Sequence, residues 1–161
     1  MERWSARMRT PFGVLGIRTD GTALTEVAYL SAEEREQAPG DAVAELALTE
    51  IARYLDDPHH RFTVPLAPRG TPFQHRVWDA ILAIPLRESR TYGEMARSMR
   101  SAARAIGQAC GANRIALVIP CHRVVGSGGA LGGFMNMSVA AGDPLAIKRW
   151  LLVHEGYRFG R

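Results

Sequence analysis

Apolar residues recur along the chain with two different periods, and the change of period divides it. Between Phe12 and Leu30 they are dense on either side of a polar Asp20-Gly21 pair, which predicts a hairpin of two strands, Phe12 to Ile17 and Leu24 to Leu30. A charged loop, SAEEREQAPGD, follows. From Asp41 to Leu55 the spacing becomes helical: Val43, Ala47, Ile51, Tyr54 and Leu55 fall on one face, and Asp57-Pro58 ends the run. The extended stretch from Phe62 to Arg69, with Pro65 and Pro68, reads as a linker.

Beyond the linker the pattern is mainly helical. Thr71 predicts a helix start, because its hydroxyl can cap, Pro72 suits the first turn and Gln74 is placed to complete a capping box. Phe73, Val77, Ile81 and Ile84 line one face, and Pro85 stops the helix. A second capping box, Thr91-Tyr92-Gly93-Glu94, opens a short helix through Met99. Ser101 is placed to cap a third, Ala102 to Cys110, which Gly111 ends. An apolar run, Ile115 to Ile119, predicts a strand, and Gly126-Ser127-Gly128-Gly129 a turn. The last helix starts at Asp143-Pro144 and runs to Glu155, before Gly156.

Two short helices around a tight turn suit a helix-turn-helix, although two helices packed in a core give the same pattern. The second is nearly bare: Ala102, Ala103, Ala105, Gly107 and Ala109 leave Arg104 and Gln108 as its large polar side chains. An ordinary helix is about 10–12 Å wide and the minor groove of DNA only about 6 Å, so a bare helix can approach where others cannot.

Composition adds a polarity to this plan. The chain has 161 residues, 47% of them apolar, enough for a small domain joined to a medium one. A boundary after Pro68 gives domains 1–68 and 69–161. The first carries 7 Lys+Arg against 11 Asp+Glu and the second 13 against 5, so the second is strongly basic and favours a polyanion, though a solvated basic face would look the same. No apolar run is long enough for a signal peptide or a membrane span, so a cytoplasmic location is expected. The two cysteines, Cys110 and Cys121, form no metal-binding spacing; no metal or cofactor is expected. Cys110, inside the alanine-rich helix, is expected to be a packing residue, and His59 and His60 to face solvent.

The densest chemistry is the segment IPCHRV, Ile119 to Val124. Pro120 removes an amide donor just before Cys121, so strand pairing should lapse there and present a thiol at a strand end. Adjacent side chains of an extended segment point to opposite sides, so His122 reaches Cys121 only if the backbone turns or a water carries the proton. A histidine base needs a carboxylate to hold its tautomer. Glu155 is a candidate: it sits at a helix C-terminus, where the dipole disfavours a negative charge, and either has a cationic or hydrogen-bonding partner or is simply solvated. Lys148, the only lysine among twenty basic residues, shares a helix face with Glu155 and either snorkels at a core edge or borders a partly buried site.

Taken in order, RGTPFQHRVW, TYGEMA, AARAIG, IPCHRVVG and KRWLLVHEG, spread over Arg69 to Tyr157, resemble the O6-alkylguanine-DNA alkyltransferases, also called methylated-DNA–protein-cysteine methyltransferases. The resemblance implies an α/β N-terminal domain of ribonuclease-H-like fold and a mainly helical C-terminal domain with a helix-turn-helix. It implies a single-turnover DNA repair in which Cys121 takes the alkyl group from guanine O6 and keeps it as a thioether, with O4-alkylthymine a further candidate substrate. By the family pattern His122 removes the thiol proton through a water, Glu155 holds the imidazole, Tyr92 and Lys148 assist departure of the guanine, and Asn113 braces the active-site turn.

Arg104 would enter the base stack as the damaged nucleotide is flipped out, with Ala103, Gln108, Tyr92 and Arg123 also at the DNA; Val124, Phe134 and Met135 would line the pocket. The expected partner is double-stranded DNA carrying O6-alkylguanine, bound by a monomer, with cooperative binding left open and no membrane involved. The chain departs from the family pattern in three ways. The Tyr92 to Arg104 interval is short and lacks the usual glycine or proline. Phe134 replaces a tyrosine and precedes Met135-Asn136-Met137. The stretch from there to Lys148 is long. Two other readings fit the residues alone: a non-catalytic protein that binds alkylated DNA, and a thiol hydrolase using Cys121, His122 and Glu155.

Overall fold

The computed structural model describes residues 3–132 and 142–158 and divides into two compact units. The first comprises the described residues up to 69 together with 114–118 and 142–143; the second takes the other described residues. The boundary after residue 69 is therefore joined by a later return of the chain, which a single cut along the sequence does not represent.

In the first unit three antiparallel strands, β1 (Ala6–Thr10), β2 (Gly13–Thr19) and β3 (Leu24–Leu30), lie in the order β1-β2-β3. The central strand is buried from Val14 to Ile17, as its unbroken apolar run requires. Gly16 is needed there, since a Cβ would meet the Trp4 ring at 2.7 Å. β1 is absent from the sequence expectation because Arg7 and Arg9 interrupt its apolar pattern. Their charged ends are used at the edge, Arg7 on Glu34 at 3.0 Å and Arg9 on the Ala32 carbonyl at 3.1 Å.

Helix α1 (Ala42–Asp56) starts where Asp41 accepts the Ala44 amide. It buries Ala44, Ala47, Ile51 and Tyr54, and with them the unexpected Glu50. That carboxylate accepts the Thr63 and Val64 amides at 2.9 and 2.7 Å and pairs with His60 at 2.9 Å. Burial works to raise the Glu50 pKa, but these hydrogen bonds outweigh it and the net shift is downward. His60 is thus drawn inward, contrary to expectation, while His59 stays exposed beside Asp57.

Residues 62–69 are not a free linker either. Leu24 donates to the Pro65 carbonyl and receives the Ala67 amide, making a parallel bridge to Leu66. Val27 makes a second such bridge to Ile115. Both additions cover the outer edge of β3, which would otherwise present unpaired backbone groups.

The strand expected at Ile115 to Ile119 does not form: after the bridge at Ile115 the chain turns, with Leu117 in the left-handed region at φ 68°. All five residues are buried, so the apolar run reflects burial of a turn, which periodicity alone does not distinguish from a strand.

The second unit is mainly helical. Helix α2 (Pro72–Leu82) carries the complete Thr71/Gln74 capping box and buries Val77, Trp78 and Ile81. The Trp78 indole donates to the Ala109 carbonyl at 2.9 Å, fixing α2 against the helix that carries Ala109. Strand β4 (Arg90–Thr91) leads directly into α3 (Tyr92–Met99), whose capping box is Thr91 and Glu94. Helix α4 (Ala103–Gly111) follows after Arg100, which takes the left-handed cap conformation at φ 54° that a glycine usually supplies. Its N-cap is Ala102, without a side-chain bond, and not the expected Ser101, whose amide closes α3 on the Ala96 carbonyl. β5 (Val124–Val125) pairs in parallel with β4, and α5 (Pro144–His154) ends at Gly156, with φ 85°. No helix among the described residues is long and apolar enough to cross a membrane.

Candidate active site

The backbone turns at the IPCHRV segment. The Cys121 amide bonds back to Ile119 O at 2.8 Å and Arg123 N to Pro120 O at 2.9 Å, so Cys121–Arg123 form a single 3-10 turn. The turn sends neighbouring side chains to separate partners. Cys121 Sγ accepts Asn113 Nδ2 at 3.2 Å, and the same amide group donates to Ile119 O at 3.0 Å. His122 Nε2 meets Glu155 Oε2 at 2.8 Å.

Both His122 and Glu155 have side chains only 1% exposed. Arg123, the next residue, grips the same carboxylate: Nε donates to Oε1 at 2.8 Å and Nη2 to Oε2 at 3.2 Å, while Nη1 donates to Ile84 O at 2.7 Å. Burial acts to raise the Glu155 pKa, but the charges and hydrogen bonds of His122 and Arg123 hold it far below the usual carboxylate range. Glu155 is therefore ionised and can only accept hydrogen bonds. Neutral His122 then carries its proton on Nε2 and its lone pair on Nδ1. That Nδ1 atom is buried and has no hydrogen-bond partner among the described residues.

The parallel pairing of Thr91 with Val125 brings the first residue of α3, Tyr92, alongside the chain just past this turn. Gly132, at φ 72°, lies so close to the Tyr92 ring that a Cβ there would approach it to 2.7 Å. Lys148 is wholly buried; its ammonium donates to Val124 O at 2.7 Å and lies 3.5 Å from the Tyr92 hydroxyl. Burial lowers its pKa to about 8, an effect that negative charge at Cys110, and at Cys121 once it ionises, partly offsets. Tyr92 is raised, first by burial and then by the same sulfur charges where they form, so it keeps its proton. The Cys121 thiol is pushed well up by its hydrogen bond with Cys110 and by burial, which the Asn113 bond and the Lys148 charge only partly counter. It therefore needs a base to become a nucleophile.

Asn113, Cys121, His122, Lys148, Glu155 and Tyr92 thus belong to one unit, linked by the contacts above. Arg104, Ala103 and Gln108 are exposed on α4, away from that buried network. Val124 is buried, with its carbonyl on Lys148. Phe134 and Met135 lie outside the described residues. Arg123, expected at the DNA, is instead turned inward onto Glu155 and Ile84. Cys110, expected only to pack, is hydrogen-bonded to the Cys121 thiol. The spacing of Cys110 and Asn113, one helical turn apart, was the available signal for that contact. Among the described residues no three His, Cys, Asp or Glu side chains gather to hold a metal ion.

Comparison with known proteins places these features in a wider set. The family model for the 6-O-methylguanine DNA methyltransferase DNA-binding domain matches residues 72–157. A methylated-DNA–protein-cysteine methyltransferase of Methanosarcina acetivorans is 36% identical over 158 residues, 94% of this chain and 97% of the relative. The constitutive enzyme of that name from Bacillus subtilis is also 36% identical, over 89% of each chain. The crystal structure of Mycobacterium tuberculosis OGT in complex with DNA superimposes with a TM-score of 0.78 at 37% identity, covering 92% of this chain and 90% of that one.

Proposed function

The chain belongs to the methylated-DNA–protein-cysteine methyltransferase family, and we propose that it carries out that family's repair through Cys121 as acceptor, with His122, Glu155 and Arg123 as the machinery that activates it. The reaction is direct transfer of an alkyl group from O6-alkylguanine in DNA to a cysteine of the protein, which is consumed in the process.

His122 Nδ1 accepts the Cys121 proton through one water, which the unpartnered lone pair and the separate directions of the two side chains call for. The thiolate attacks the alkyl carbon; the S–C bond forms as the C–O6 bond breaks, and the electron pair stays with the guanine. Lys148, protonated below about pH 8, supplies positive charge and a proton to that departing base, with the Tyr92 hydroxyl as the intervening donor. Asn113 holds the sulfur and the carbonyl before the turn together. Arg123 fixes the carboxylate that fixes the imidazole, which makes it a positioning residue.

Helices α3 and α4 act as the helix-turn-helix. The exposure of Ala103, Arg104 and Gln108 on the small-residue helix supports contact with the minor groove, and the long Arg104 side chain fits insertion beside a flipped nucleotide. The N-terminal sheet with α1 fits a small ribonuclease-H-like domain.

The observation that carries this reading is the buried Glu155 carboxylate on His122 Nε2, which leaves Nδ1 as the basic nitrogen of the residue that follows Cys121. It is tested by mixing the protein with excess duplex carrying O6-methylguanine. Repair should stop when the lesions removed equal the protein present, whereas continued turnover, or tight binding with no repair, would overturn the reading.

A further inference from the structure

The transfer reaction leaves the second of the chain's two cysteines unused. Cys110 ends the buried face of α4, and Cys121 opens the 3-10 turn; both are 2% exposed. Asn113 ties the two together from one side, its amide N–H bonding to Cys110 O at 3.2 Å and its side chain to Cys121 Sγ at 3.2 Å. Between them the two thiols are hydrogen-bonded to each other. Packing alone would be served as well by an alanine, such as the neighbouring Ala109 on the same buried face.

We propose that Cys110 and Cys121 form a reversible oxidation site, at which hydrogen peroxide joins the two thiols in an intramolecular disulfide that blocks the alkyl acceptor. One thiolate attacks peroxide, giving a sulfenic acid and water. The neighbouring sulfur then displaces the sulfenic oxygen, forming the S–S bond and releasing a second water. The two thiols together lose two electrons and two protons, which reduce the peroxide.

Contact between the sulfurs favours this outcome over further oxidation, because a sulfenic acid with a thiol at hand condenses before it meets a second peroxide. Cys110 is drawn below the ordinary thiol range by its bond with Cys121, with help from the nearby Lys148 charge, and so is the sulfur readier to start the sequence. The disulfide shields an acceptor that functions only once and that would otherwise be lost to sulfinic acid. Formation of the bond is independent of the acceptor role of Cys121; only the resulting block of repair rests on it.

Trypsin separates the pair, since cleavage after Arg104, Arg114 and Arg123 leaves Cys110 on residues 105–114 and Cys121 on 115–123. The full-length protein and its Cys110→Ser and Cys110→Ala variants are treated with hydrogen peroxide and digested without reductant, and alkyl-accepting capacity is measured before and after dithiothreitol. In the parent protein the two peptides should be found linked within monomeric chains. The link and the loss of capacity should reverse together with dithiothreitol. Both variants should recover several-fold less of their own starting capacity, with Cys121 carrying two extra oxygens. Cys121 oxidised while Cys110 stays a free thiol, both thiols unmodified, or a link found only between chains would each overturn the proposal. The peptide masses decide it even if Cys121 accepts no alkyl group.

Discussion

Glu155 bears a negative charge just past the C-terminus of α5, where the helix dipole opposes it, and the opposing factor is the Arg123 guanidinium together with the His122 N–H that it accepts. Replacing it by glutamine leaves Arg123 and His122 buried without their carboxylate, and should cost about 3–5 kcal/mol of stability near neutral pH. Its pKa is lower in the folded than in the unfolded chain, so the stability it contributes is present above about pH 4.5 and is lost as pH falls below that value. Urea denaturation at several pH values should show the gap between the parent and Glu155→Gln closing in acid.

Lys148 behaves in the opposite sense. Its folded pKa of about 8 lies below the unfolded 10.5, so its burial costs roughly 3 kcal/mol at neutral pH, a cost relieved as pH rises from 8 to 10.5. Because it is the only lysine, isotopic labelling of lysine gives a single side-chain amine signal by NMR. That signal should titrate near 8, and the transfer rate should fall as it does; a midpoint near 10.5 contradicts the buried site. Cys121, His122, Glu155 and Lys148 were legible in the sequence because each is a chemically costly residue in an informative place. The inward turn of Arg123 and the Cys110 contact were not, since both depend on a 3-10 turn that residue identities do not announce.

At the scale of elements, the turn between α3 and α4 holds Arg100 at φ 54°, a conformation costly for any residue with a Cβ. Arg100→Gly should therefore stabilise the protein by about 1 kcal/mol, seen as a higher urea midpoint; a lower midpoint would show that the arginine side chain contributes more than the strain costs. On the next helix, Arg104→Ala should slow transfer from duplex DNA by about 10-fold or more while leaving transfer from the free base O6-benzylguanine nearly unchanged, because only the duplex requires a base to be unstacked. Helices α2 and α3 could be read closely from the sequence because their caps are local chemistry, Thr71 with Gln74 and Thr91 with Glu94, and α1 because its apolar residues keep helical spacing up to Asp57-Pro58. β1 escaped because its arginines break the apolar pattern. The apolar run 115–119 misled because a buried turn is as apolar as a buried strand.

Across the whole molecule, the charge is divided as the two parts of the reaction demand, with 13 of the 20 basic residues after Pro68, on the side that holds α4 and Cys121. The division into an N-terminal sheet and a helical remainder was visible in the change of period. The return of residues 114–118 to the first unit was not, because it rests on single bridges between distant segments. Whether Cys121 itself takes the alkyl group is decided most directly by a peptide map of the protein after reaction with a duplex containing O6-benzylguanine. Peptide 115–123 should carry one benzyl group on Cys121, in an amount equal to the lesions removed, with peptide 105–114 unchanged. Folded, DNA-bound protein whose Cys121 remains a free thiol, or a benzyl group found on Cys110, would contradict it.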